Sequence, residues 1–397
     1  MAAPFFYPPS YAATREHFRE QVAALQRRWP QAAWRVRPLD GPEPTELVAL
    51  EAPATHEPRQ AVVLTAGLHG IEGHVGGMVL DFFLREFARR LDPATTGLYL
   101  LPAINAWGMA HARRVNAANV DLNRNFVDTP PGRPFPRVEN PAYDALHAFL
   151  NPSRPVRATD RWLFWPRGLL ALRRAGGVAA LRSASLQGQS TYPRGIFFAG
   201  REAQPETRAL QAWWDARLRT YARVLHLDVH TGYGPAGVLS LLFPASEPRD
   251  EAEWEALLGY RPVTRVASAA AYRIQGDLGG DLLRRAARHG REVVTTALEF
   301  GTLGYGTAAQ LRSLRALMLE NQMFHHGAAS DAVAAWVRRE FQALFAPEDP
   351  AWRARALEQA RRALQALLRW AGYDRSEDPP RQRRSPAQDG ARHPKAA

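Results

Sequence analysis

An α/β sandwich built on a mixed sheet is the fold this sequence predicts, on three observations. Short apolar, β-favouring runs recur along the chain, amphipathic helical stretches lie between them, and several of the runs stop at or near a glycine, as buried strands of parallel or mixed sheets do. The 397 residues, 46% apolar and 23% charged, suffice for one large or two ordinary domains with a well-buried core. They are too apolar for disorder throughout.

Taken in order, residues 11–29 place Phe18, Val22, Leu25 and Trp29 at three- and four-residue steps and predict a helix. Two short strands are expected over 34–39 and 46–52. The continuous apolar run over 60–67, ended by Gly67, predicts a buried strand, and 73–90 reads as the helix that follows it. Further buried strands are expected over 98–102, 222–229 and 291–299, with helices over 206–221 and 281–289. Helices continue over 308–325, 331–344 and 352–370.

Two regions break this rhythm. Residues 127–205 are rich in Pro, Gly, Arg and aromatics without a strand pattern, which suits a lid or a helical excursion. Within them, 161–172 is basic and aromatic enough for a helix lying on a membrane surface, but Pro166 is expected to break it, and a hydrophobic lid or a dimer contact is the preferred reading. Beyond Tyr373 apolar residues almost vanish, so 374–397 is expected to be a disordered tail. The expected organisation is a main domain over 1–345 carrying that insertion, a C-terminal helix within 346–373, and the tail.

Composition limits the chemistry. The chain has no cysteine, which removes disulfides, thiolate zinc sites, iron–sulfur clusters and a cysteine nucleophile, so any metal must be held by histidine and carboxylate. No apolar run approaches the ~20 residues of a membrane span, the N-terminus does not read as a signal peptide, and a cytoplasmic location is expected. The formal charge is +12, and every positive side chain except Lys395 is arginine. Abundant Ala and Arg point to GC-rich codons as the plain explanation. The arginines are scattered and no DNA- or RNA-binding motif accompanies them, so no specific nucleic-acid partner is expected.

The chemistry-bearing segments sit at strand ends. His69-Gly70-Ile71-Glu72 follows the strand ending at Gly67, and a histidine and a glutamate three apart on a glycine-flanked turn can point two ligands at one cation. His230 ends a second strand, again just before a glycine. Ligands of open α/β sheets bind at the carboxyl ends of strands, so His69, Glu72 and His230 are expected to converge on one rim. Two histidines and one glutamate leave a fourth zinc position for water, and Glu299, at the end of a third strand, suits the role of its base. Arg113, Arg114 and the run Asp121-Leu122-Asn123-Arg124-Asn125-Phe126 suggest recognition of a substrate carboxylate, since arginine forks bind carboxylates in a bidentate manner.

Other residues compete for these roles. His74 is a rival ligand, and its preferred place is the first turn of a helix. His226, Asp228 and His230 share a face of their strand if it is regular; His226 is expected to be a satisfied core group, and Asp228 either orients a ligand or accepts a backbone bond. His325 and His326 suit a helix C-terminus. Tyr192, Tyr233 and Tyr305 are all candidates for a substrate-capping tyrosine.

This set, His-x-x-Glu, the phrase Asp-Leu-Asn-Arg-Asn-Phe, a strand-end His and a strand-end Glu, resembles the zinc carboxypeptidase superfamily that includes succinylglutamate desuccinylase and aspartoacylase. It is most similar to a branch of that superfamily whose function is unknown, over roughly residues 11–326. The resemblance implies a three-layer α/β/α sandwich with a mixed, largely parallel sheet, as in zinc exopeptidases. It implies one zinc ion on His69, Glu72 and His230, with Glu299 as general base and acid. It places the substrate carboxylate on Asn123 and Arg124, gives the polarisation of the scissile carbonyl to Arg113 or Arg114, and makes Asp121 the acceptor that orients His69. The expected activity is hydrolysis of an amide bond next to a free carboxylate, in a peptide or an N-acyl amino acid. The competing expectations are a non-catalytic metal- or ligand-binding protein that keeps the fold, against which Glu72 and Glu299 together speak because binding needs no base, and, ranked below it, a basic nucleic-acid-associated protein driven by the +12 charge.

Overall fold

In the computed structural model, which describes residues 5–129, 132–177, 181, 187–266 and 275–373, eight strands form one mixed sheet. They are β1 (Ala33–Leu39), β2 (Thr45–Ala52), β3 (Gln60–Ala66), β4 (Thr96–Leu101), β5 (Arg223–Gly232), β6 (Leu239–Phe243), β7 (Val263–Arg265) and β8 (Glu292–Gly301). Side by side the order is β1-β2-β4-β3-β5-β8-β6-β7. The central four, β4, β3, β5 and β8, run parallel. The edges are mixed: β1, β2 and β4 pair antiparallel, β6 is antiparallel to β8, and β7 is parallel to β6. From β3 the chain crosses to β4 on one side and later to β5 on the other, which opens a crevice at the carboxyl ends of these strands.

Helices cover both faces. They are α1 (Tyr11–Gln26), α2 (Gly73–Glu86), α3 (Ala106–Ala110), α4 (Pro141–Leu150), α5 (Asp160–Ala175), α6 (Pro205–Thr220), α7 (Glu251–Leu258), α8 (Leu278–His289), α9 (Thr307–His326), α10 (Asp331–Phe345) and α11 (Pro350–Ala371). Leu225, Leu227 and Val229 of β5 pack with Phe18, Val79 and Leu364, from α1, α2 and α11, in one core layer. On the opposite face Val63 and Tyr99 pack with Trp214 of α6 and Leu282 of α8. The period of two along β5 therefore sends His226, Asp228 and His230 to the α6 side, where the Trp214 ring lies 4.9 Å from that of His226. The C-terminal helix α11 buries Ala356, Ala360, Leu364 and Leu367 in the same core as the sheet.

The insertion is a helical excursion: α4 and α5 pack with α9 through Tyr143, Leu146, Phe164 and Leu314. One expectation fails here, because Pro166 lies inside α5 without breaking it. Proline removes the bond to the carbonyl four residues back, which belongs to Trp162 on the solvent side, and water can satisfy that carbonyl. The strands β6 and β7 and helix α7 were not anticipated. The expected tail, 374–397, lies outside the described residues.

Candidate metal centre

The turn that carries His69 and Glu72 is built by close backbone packing. After β3, Gly67 adopts a left-handed conformation (φ +63°), and His69 leads into a single 3₁₀ turn, Gly70–Glu72, that runs into α2. A β-carbon on Gly70 would collide with the backbone of Gly108 in α3, so only glycine allows this approach. The amides of Gly70 and Ile71 donate to the carbonyls of Arg114 and Arg113, which ties the turn to the loop carrying both arginines. His230 and Glu299 are direct register partners on β5 and β8.

His69, Glu72 and His230 come together as expected. One ligand atom from each lies within 4.8 Å of the others, all three residues are buried, and no other group of three potential ligands is found among the described residues. Glu72 sits between the imidazoles: its Oε1 is 2.9 Å from Nδ1 of His69 and its Oε2 is 3.0 Å from Nδ1 of His230. Each histidine turns its other nitrogen to an aspartate, His69 Nε2 to Asp121 at 3.2 Å and His230 Nε2 to Asp228 at 2.7 Å. If each Nε2–H donates to its aspartate, Nδ1 is the nitrogen left for a cation, which is how a metal-bound imidazole is normally supported. Asp228 in turn accepts from Thr65 Oγ1 at 2.6 Å, and Asp121 accepts from Nε and Nη2 of Arg114, both at 3.2 Å.

Charge in this buried cluster is mutually arranged. Burial would raise the Glu72 carboxyl, but the two histidines hold it well below the usual carboxylate range. Asp121 is likewise held low against its burial, chiefly by Arg114 and His69. Burial disfavours the imidazolium of His230, yet Asp228 and Glu72 raise it well above its ordinary value. Glu299 goes the other way: burial first, and then the charge of Glu72, push it up to about 7. The donor set of two imidazole nitrogens and a carboxylate, buried and backed by aspartates, fits a zinc-like cation.

The remaining expected residues separate cleanly. Arg114, Asn123, Arg124 and Glu299 line one cavity of about 320 Å³ together with His69, Glu72 and His230. Asn123 accepts the Leu278 amide on its side-chain oxygen at 3.0 Å, and Nη1 of Arg124 donates to the Asn123 carbonyl at 2.9 Å. Arg113 is elsewhere. Its Nε donates to Glu320 at 2.8 Å, its Nη2 reaches Asn119 and Asn321, and its guanidinium lies 3.6 Å from the Phe324 ring centroid. His74 bonds the Pro8 carbonyl and stays out of the cluster, and His226 is held by Thr65 and Thr295, both at 2.8 Å. Of the three tyrosines only Tyr233 lines the cavity, and its backbone amide donates to Glu299 Oε1 at 2.8 Å. Tyr305 packs against Tyr233, and Tyr192 stacks on His147.

The walls contributed by α9 and α10 went unread in the sequence. Phe197, Leu314, Leu317 and Phe345 make much of the cavity apolar, and they come from the insertion, α9 and α10. Phe197 is one of three non-glycine residues with positive φ (+56°) among the described residues, a strained conformation of the kind that gathers at functional sites. No spacing marks such residues, since they meet only through the tertiary fold.

The DUF2817 family model, described as a protein of unknown function, matches residues 7–359. No curated protein matches the sequence. Solved structures similar to this chain include thrombin activatable fibrinolysis inhibitor, at 12% identity over 84% of this chain and 74% of that one, with a TM-score of 0.45. Carboxypeptidase A from Helicoverpa armigera is similar at 14% identity over 85% and 74%, TM-score 0.43. Succinylglutamate desuccinylase/aspartoacylase from Rhodobacter sphaeroides is similar at 17% identity over 75% and 65%, TM-score 0.35.

Proposed function

The chain belongs to the DUF2817 family, and we propose that it is a zinc-dependent hydrolase that cleaves an amide bond next to a free carboxylate, in a short peptide or an N-acyl amino acid. The observation that carries this reading is the pair of histidines that turn Nδ1 to Glu72 and Nε2 to an aspartate, with Glu299 beside His230 in register. A binding protein has use for the ligands but none for a further buried carboxyl set beside them.

His69, Glu72 and His230 would hold the ion, which when bound supplies Lewis-acid polarisation of the carbonyl and acidifies the attacking water. Arg124 and the Nδ2 donors of Asn123 hold the substrate carboxylate, which sets the scissile amide over the cluster. Arg114, fixed by Asp121, offers a positive charge to the developing oxyanion. Glu299 keeps Oε1 on the Tyr233 amide; Oε2 takes the proton of the attacking water and then passes it to the leaving nitrogen. The apolar walls favour a substrate whose remaining groups are aliphatic or aromatic.

Hydrolysis of a panel of dipeptides and N-acyl amino acids by wild type and Glu299→Gln tests this. The expected result is activity in the wild type and a loss of about 10²–10⁴-fold in the variant with its metal content unchanged. Comparable activity in Glu299→Gln would contradict the assigned role.

A further inference from the structure

Helix α5 is apolar on both sides. Its inner residues Phe164, Gly168 and Ala171 are buried against α4 and α9. Its outer side carries Trp162, Leu163, Trp165, Leu169 and Leu170, which are 71%, 40%, 38%, 53% and 49% exposed. These are five of the nine exposed large hydrophobic side chains among the described residues, gathered on one helix of 16 residues. Isolated exposed apolar groups need no explanation, but a contiguous stripe of this kind marks a binding surface.

The charges around the stripe say what covers it. Arg161, Arg167, Arg173 and Arg174 flank it, all four exposed, and the sole acidic residue of the helix, Asp160, is buried and shared by Arg154 and, at 3.4 Å, Arg167, so the helix and Arg154 together keep a clear positive excess. At 100° per residue, Trp162, Pro166, Leu169 and Leu170 fall on one side, with the arginines at its margins and its C-terminal end. A second copy of the chain docking through the same stripe would set these arginines against their own equivalents. An anionic lipid surface complements them, takes the leucines below the headgroups, and gives tryptophan its preferred place at the interface. No described helix is long and apolar enough to cross a membrane, so the contact would be made along the surface.

We propose that the outer side of α5 docks this protein, reversibly, on an anionic lipid bilayer. This is independent of the metal centre, because no residue of the stripe lines the cavity. Co-sedimentation of the full chain with phosphatidylcholine vesicles, with and without one-third phosphatidylglycerol, tests it. Wild type is expected to partition onto the anionic vesicles, less so as salt rises. The variants Trp162→Ser/Leu169→Gln/Leu170→Gln and Arg173→Gln/Arg174→Gln are each expected to partition about tenfold more weakly, with unchanged thermal unfolding. If the triple variant does not fold, Leu169→Gln alone carries the test, with a loss of about threefold. Absence of binding to anionic vesicles overturns the proposal, as does binding that the variants leave intact, which would trace to the overall charge. A dimer in light scattering that the triple variant splits, without vesicle binding, would assign the stripe to a second copy instead.

Discussion

Arg113 and Arg114 are sequence neighbours with opposite environments. The first is 2% exposed and spends its guanidinium on Glu320, Asn119, Asn321 and the Phe324 ring; the second faces the cavity and grips Asp121. Removing Arg113 would strand Glu320, a carboxylate already raised by its burial. Arg113→Ala is therefore expected to lose about 3–5 kcal/mol in urea unfolding, the cost of an unpartnered buried charge. Arg114→Ala, which strips a guanidinium from the buried Asp121 and Glu72, is also expected to be destabilised, by about 3 kcal/mol, but it alone is expected to lose roughly 10²–10³-fold in kcat, with kcat of Arg113→Ala near wild type. The reverse pattern would refute this division. The sequence shows two adjacent arginines in an irregular loop, where no periodicity tells one side from the other. The placement of His69, Glu72, His230 and Glu299 was legible because the first two follow a strand closed by Gly67 and the other two sit among the last residues of strands that end at Gly232 and Gly301.

At the scale of elements, the site depends on a few tight joints. The turn Gly70–Glu72 touches α3 so closely that the backbone of Gly108 occupies the space of a side chain. Gly70→Ala is expected to cost about 1–3 kcal/mol in thermal unfolding and to lower metal affinity, because the turn must move away from the arginine loop. Gly306→Ala, where a β-carbon meets open space, is the control: it loses at most about 1 kcal/mol, through the poorer N-cap that alanine gives α9, and leaves metal affinity unchanged. Wild-type metal affinity in Gly70→Ala would show that the turn is not what positions His69. The strands of the central sheet were readable because burial on both faces makes them continuous apolar runs. Strand β7 has three residues, too few to show a period, and β6 has five. The continuity of α5 through Pro166 depends on which side of the helix faces solvent, and a sequence pattern does not encode that.

Over the whole molecule, the sheet brings the ends of three neighbouring strands to one rim, and the loop after β4 adds the arginines from the far side of the crevice. The three-layer architecture was legible as alternation of strand and helix, whereas the cavity walls from α9 and α10 were not, since these helices reach the site from a distant part of the chain. Many arginines are engaged within the fold, in ion pairs such as Arg285 with Asp215 and Asp281 or laid over rings, as Arg353 is over Tyr7, while the net charge stays at +12. The metal is the centre of the proposed chemistry. Elemental analysis of the chain purified without chelators, beside His69→Ala and His230→Ala, is the direct measurement. About one zinc per chain in wild type, largely lost in both variants, is the predicted result. Less than about half a zinc in wild type even after zinc is supplied, or wild-type content in His69→Ala, would contradict it.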